Sequence, residues 1–224
     1  MVNETIEYVT LADPETHQIT GQFTSREQVS DQDCVVVVGL LLILIAENRQ
    51  PKLILSQRSF KKKVLPGIWS LAVAGHMVHH WESKKHWEGV EDDLKQIPGD
   101  STPQDAMMRE INEELGEDFS KSLDKSQLVE VLRTIQTITN SSKTQLMIYY
   151  AITITAEQFA KIIFDPSEIA SIQKFTQNEL DENTEVLHPC GQVAYGTARG
   201  HVNPMHKEAY QLAFQKDYGR PSIT

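Results

Sequence analysis

Glu110, Glu113, Glu114 and Glu117, in the stretch MMREINEELGED, fall at i, i+3, i+4 and i+7. On an α-helix, at about 100° per residue, they share one arc of the surface. Like charges four residues apart cost a few tenths of a kcal/mol each, and carboxylates in the last turns face the negative end of the helix dipole. Such a face is either simply solvated or neutralised by a cation. Hard Mg²⁺ or Mn²⁺ takes carboxylate oxygens and turns the repulsion into chelation.

The elements around these residues are built to present them. Thr102 is placed to cap the helix, Pro103 occupies a first-turn position where proline is tolerated, and Gly116 follows the last periodic residue. Met107, Met108, Ile111 and Leu115 form an apolar stripe on the side away from the glutamates, so burying that stripe turns the carboxylates outward.

The segment TPQDAMMREINEELG resembles the back half of the Nudix box. There, seven residues precede Arg-Glu, an apolar residue, any residue, Glu-Glu, any residue and Gly. Thr102 to Met108, Arg109-Glu110, Ile111, Asn112, Glu113-Glu114, Leu115 and Gly116 fill those places. The resemblance implies an α/β (α+β) fold of the Nudix type, an α/β/α sandwich with a mixed central sheet and an N-terminal β-hairpin. It implies Glu113 and Glu114 as metal ligands, Glu110 as a ligand or near-ligand, and Arg109 as the partner that holds a glutamate by charge-assisted hydrogen bonds. The front half of the box departs from the pattern. Counted back from Arg109, the family's glutamate is replaced by Ser101, and a shift of one residue lets Asp100 take its place. The opening glycine is Gly75, with roughly twenty residues beyond the family's spacing.

More particularly, the chain resembles the branch containing isopentenyl-diphosphate-isomerase-like Nudix proteins. The marks are an N-terminal hairpin, SREQV, a strand ending in Gln57-Arg58, LPGIWSLAVAGH running into the box, and DPSEIASIQKF beyond it. Those isomerases need a cysteine in the stretch aligned with WSLAVAGH, where this chain has Val73 and Ala74, although His76 falls on their metal-binding histidine. The expected activity is therefore hydrolysis of a diphosphate linkage in a nucleoside diphosphate-linked or similar small molecule, with Mg²⁺ or Mn²⁺. A degenerate Nudix-like nucleotide-binding or sensor domain is the alternative, and an isomerase-like enzyme a minor one. Glu168 matches a position where related proteins carry a glutamate near the active site and is the candidate general base. Arg58 is a candidate phosphate contact, while Lys61, Lys62 and Lys63 either attract an anionic substrate or, as such a run usually does, are simply solvated.

Composition agrees with a small-molecule partner. With 31 acidic and 21 basic residues, the formal charge of −10 disfavours nucleic acid and anionic membranes as partners. The run CVVVVGLLLILIA is far shorter than the about twenty residues that a helix needs to span a bilayer, and with KLILSQR it predicts a buried β-hairpin. MVNETIEYVT shows no charged-then-apolar leader, and Cys34 and Cys190 are read as ordinary thiols, so a cytoplasmic location is expected. Residues 1–224 read as a single Nudix-like domain, a possible homodimer, with residues 1–33 as hairpin and linker. IEYVTLAD and QITGQF make the hairpin, SQLVEVLRTIQTIT, TQLMIYYAITIT and ASIQKF are strands, a short helix lies near 156–163, and NPMHKEAYQLAFQKDY closes the chain as a helix.

Two stretches, 79–96 and 185–201, look like insertions. In the first, Trp87, Val90, Leu94 and Ile97 have helical spacing and predict a packed accessory helix. Trp81 and Trp87 are candidates for stacking on a substrate. His76, His79, His80 and His86 lack the cysteine pairs or His-Glu-x-x-His spacing of a zinc site. The second reads as a loop bordering the pocket, with Tyr195 and Arg199 as possible specificity contacts. No acid stands at motif spacing to orient His188 and Cys190 as a nucleophile pair.

Overall fold

A computed structural model describes residues 4–45, 50–63, 65–84, 93–97, 99–137, 143–184 and 202–215. The chain divides into two compact units: residues 1–38, 75–106 and 133–148, and residues 39–74, 107–132 and 149–224.

In the first unit, β1 (Glu4–Asp13) and β2 (Gln18–Ser25) form the expected N-terminal hairpin. Asp13 closes its turn by accepting the Glu15 and Thr16 N–H groups at 2.8 and 3.1 Å. A 3-10 turn, Arg26–Gln28, follows. The first insertion contributes β7 (Val78–Lys84) and, where the end of an accessory helix is expected, β8 (Asp93–Ile97), while Trp87 and Val90 lie outside the described residues. They pair antiparallel with each other, and β7 also pairs along β1 from Glu4↔Ser83 to Val9↔Val78. The helical spacing of Leu94 and Ile97 loses because the free edge of β7 offers a row of backbone donors and acceptors that a strand satisfies and a helix does not.

In the second unit, β3 (Cys34–Ile45), which begins in the first, contributes Gly39–Ile45 to a hairpin with β4 (Pro51–Arg58). All but the last residue of β3 is buried, as a continuous apolar strand covered on both faces requires. On its other side β4 pairs antiparallel with β11 (Ile169–Phe175) in a register that sets Arg58 opposite Ile169, and on the β3 side, near its end, it pairs with the two-residue β5 (Trp69–Ser70). A parallel bridge joins Trp69 to Val202. The short β6 (Val73–His76), β9 (Val129–Thr137) and β10 (Thr144–Ile154) complete the strands.

The box segment is helical as expected: α1 spans Pro103–Leu115. Thr102 Oγ1 accepts the Asp105 N–H at 3.1 Å, the cap that its position predicted, and donates to the Asp105 carboxylate at 2.7 Å. Met107, Ile111 and Leu115 are fully buried, while Met108 is half-buried. After α1 come α2 (Glu117–Lys121), α3 (Ala156–Phe159), shorter than the expected 156–163, α4 (Gln177–Thr184), and the closing helix as a 3-10 turn, Pro204–His206, running into α5 (Lys207–Gln215). No helix among the described residues is long and apolar enough to cross a membrane.

Gly116 has φ +95°, and a Cβ there would come within 3.0 Å of the Ile163 carbonyl oxygen. Gly116→Ala is therefore expected to cost about 1–3 kcal/mol, combining a left-handed backbone with a clash against main chain, read as a lower denaturant midpoint at unchanged slope.

Candidate active site

The second unit positions the carboxylates through main-chain bonds. At the end of α1 the Leu115 carbonyl accepts the Ile163 N–H at 3.0 Å, and the Glu114 carbonyl accepts the Asp165 N–H at 3.2 Å. The loop that satisfies these orphan helix carbonyls is also the one that delivers Glu168. Asp165 stiffens it, its carboxylate accepting the Ser167 N–H at 2.7 Å and its carbonyl the Glu168 N–H at 3.1 Å. From the other side Ser59, buried at the end of β4, donates its N–H to the Glu168 carbonyl at 2.8 Å and its hydroxyl to the Pro166 carbonyl at 3.3 Å. The Lys62 ammonium pairs with the Glu168 carboxylate.

Side-chain burial then sorts the glutamates. Glu110 is buried and Glu114 half-buried, whereas Glu113 is exposed. Arg109 straddles them, donating to Glu110 at 2.9 Å and to Glu113 at 3.0 Å. Burial pushes the Glu114 carboxyl up to about 8, and the neighbouring charges of Glu110 and Glu168 push in the same direction; Arg58 and Lys62 offset part of the rise. Two carboxylates and two cations thus act on Glu114.

A hard divalent cation suits this donor set, which consists of carboxylate oxygens with no soft ligand among them. An unneutralised carboxylate at Glu114 is costly enough that the free protein holds a proton there to neutral pH, and a cation can replace it. Among the described residues no three His, Cys, Asp or Glu side chains are drawn close enough together to hold an ion. In this arrangement Arg109 takes Glu110, and Lys62 takes Glu168.

The family model described as NUDIX domain matches residues 36–190, over two thirds of the chain. The chain belongs to the Nudix family. Its mixed α+β make-up, with the box helix following the N-terminal strands, is the expected one. Among solved structures it is similar to DR0079 from Deinococcus radiodurans, at 18% identity over 86% of this chain and 94% of that one, with a TM-score of 0.48. It is also similar to an Ap4A hydrolase from C. elegans (16% identity, 66% and 83% covered, TM-score 0.38). A third likeness is to the NUDIX domain of Shewanella oneidensis NrtR complexed with ADP ribose (12% identity, 66% and 75% covered, TM-score 0.39). No curated protein matches.

The charges of Glu110 in the box and of Glu168 and Arg58 outside it act on Glu114, while Glu113 is turned outward onto Arg109. Two contributors were not read from sequence. Lys62 sits in a lysine run expected to be solvated; Lys61 and Lys63 are indeed exposed, but Lys62 is half-buried on Glu168, because β4 and β11 bring the two loops together. Ser59 carried no sequence signal, since its role is to hold main chain 107 residues away. Asp100 is buried in the first unit, where its carboxylate accepts the Val78 N–H at 2.9 Å and its own N–H donates to the Val78 carbonyl at 3.0 Å. Ser101, at the family's glutamate position, is exposed. His76 is half-buried in β6, and His79 packs at 5.4 Å on the Phe23 ring. Trp81 lies in β7, but its side chain is outside the described residues, as are Trp87, His86, Tyr195, Arg199, His188 and Cys190. Cys34 is a free buried thiol, raised by burial above its ordinary range.

Proposed function

We propose that this Nudix protein is a hydrolase that cleaves a diphosphate linkage in a small molecule with Mg²⁺ or Mn²⁺. The observation that carries the reading is the Glu114 carboxyl, raised to about 8 by burial and by the neighbouring charges of Glu110 and Glu168, with Arg58 and Lys62 offsetting part of the rise. Glu114 and Glu110, with Glu168 beside them, would hold the cation, which when bound offsets the charge of the diphosphate and lowers the pKa of a coordinated water. Arg58 and Lys62 bind phosphate oxygens. As a phosphate draws Lys62, the Glu168 carboxylate is freed to take a proton from the attacking water. The water oxygen bonds to phosphorus, the bridging P–O bond breaks, and the electron pair leaves with the departing phosphate. Arg109 keeps Glu110 in place, with Glu113 as the outer half of its clamp.

Two observations favour a second reading, a nucleotide-binding or sensor domain without turnover. Ser101 stands where the box has a glutamate, and Arg109 is already engaged by Glu110 and Glu113. A screen for phosphate or nucleotide release over dinucleotides and nucleoside diphosphate-linked compounds, with Mg²⁺ and Mn²⁺, separates the two. Release from at least one compound, with Ser101→Glu changing the rate by less than about threefold, is the expected result. Binding without release, together with hydrolysis appearing only in Ser101→Glu, would establish the sensor. The single-domain organisation, a cytoplasmic location and a homodimer belong to the same proposal.

A further inference from the structure

The carboxylates of this site already have a cation of the chain's own beside them. The Lys62 ammonium is paired with the Glu168 carboxylate, and its charge also acts on Glu114 and on Asp165. An exposed lysine–glutamate pair contributes little, because two long side chains must be ordered to make it and water screens it. Here the two main chains are fastened to each other first. Ser59 N–H donates to the Glu168 carbonyl at 2.8 Å, Lys62 N–H turns back to the Ser59 carbonyl at 3.1 Å, and the Asp165 carbonyl accepts the Glu168 N–H at 3.1 Å. The paired side chains are only 28% and 35% exposed, so less ordering and less screening count against this contact than against a surface pair.

We propose that Lys62 is a built-in competitor of the divalent cation: in the resting protein its ammonium holds Glu168 and balances the carboxylate charge, and a phosphate group that draws the ammonium away admits the metal. The proposal rests on the diphosphate reading above and adds its regulation. Metal and phosphate then favour each other through Lys62, and by linkage the factor by which phosphate tightens the metal equals the factor by which metal tightens phosphate. The free protein holds its metal loosely, and the reactive arrangement assembles once the diphosphate is in place. Lysine suits the task because it is a compact charge on a flexible four-carbon stem, able to swing from carboxylate to phosphate; a planar guanidinium would grip the carboxylate as a fork.

The test is Mn²⁺ binding to the full chain, read from the paramagnetic resonance signal of the free ion, beside calorimetric titration with methylenebisphosphonate in excess Mn²⁺. The P–C–P bridge of that probe resists hydrolysis. Lys62→Met is expected to tighten Mn²⁺ alone about fivefold or more and to weaken the bisphosphonate by a similar factor, so the two affinities move in opposite directions. Lys62→Arg should bind Mn²⁺ no more tightly than the wild type, and Lys61→Met, which removes an exposed neighbouring charge, should leave both affinities within twofold. In a Glu168→Gln background Lys62→Met should change Mn²⁺ affinity by less than twofold, since the competition runs through Glu168. An unchanged or weaker Mn²⁺ affinity in Lys62→Met, or a gain that persists in Glu168→Gln, would overturn the competitor while sparing the diphosphate reading. Wild type that binds Mn²⁺ but no bisphosphonate overturns the diphosphate reading and the release step with it, and wild type that binds neither overturns both.

Discussion

Glu114→Gln is expected to lower turnover at least a hundredfold and to remove most of the metal-induced rise in melting temperature, with Glu113→Gln having the smaller effect on both. The ranking follows from burial, because Glu114 is the carboxylate on which Glu110, Glu168, Arg58 and Lys62 act, whereas Glu113 is exposed and serves Arg109. In the metal-free protein the same substitution should flatten the pH dependence of stability. The folded carboxyl, near 8, lies above its unfolded value, near 4.5. Between those values the folded state binds the extra proton, so stability present below about pH 4.5 is lost as pH rises towards 8. The ceiling on that loss is on the order of 4–5 kcal/mol. Glutamine carries no titrating proton and should erase the slope, and Mg²⁺ should stabilise the wild type more at pH 8 than at pH 6. Thermal unfolding with chelator and with Mg²⁺ at the two pH values measures both. Equal metal responses in wild type and Glu114→Gln would move the cation elsewhere.

Asp100→Ala should unfold the protein more readily, by about 1.5–3 kcal/mol, while leaving the turnover of the folded fraction within about threefold. Had Asp100 taken the place of the missing box glutamate, the loss would fall on turnover instead. Its carboxylate accepts the N–H of buried Val78 at the start of β7, and alanine leaves that donor without the charged acceptor. Asp100→Asn keeps an acceptor oxygen and should recover much of the stability. Denaturant midpoints paired with rates normalised to folded protein decide the matter, and a tenfold drop in normalised rate for both variants would put Asp100 back in the catalytic machinery.

What the sequence determined by itself is local or strongly patterned. The cap at Thr102, the stripe of Met107, Ile111 and Leu115 and the left-handed Gly116 specify α1 from residues within one or two turns. The unbroken apolar run of β3 allows little but a buried strand, and the turn residues between β1 and β2 place that hairpin. The box motif gave the family, because its spacing is specific in one dimension. Tertiary structure alone decided the rest. Glu110, Glu113 and Glu114 share an arc, and only packing against the loop from Ile163 to Glu168 makes two of them inner residues and one an outer residue. Lys62 and Glu168 are 106 residues apart, so no local signal could lift Lys62 out of its lysine run. Leu94 and Ile97 show the converse: their helical spacing is real, but antiparallel pairing with the preceding strand, β7, overrides it, since unpaired backbone groups cost more than a weak local preference returns.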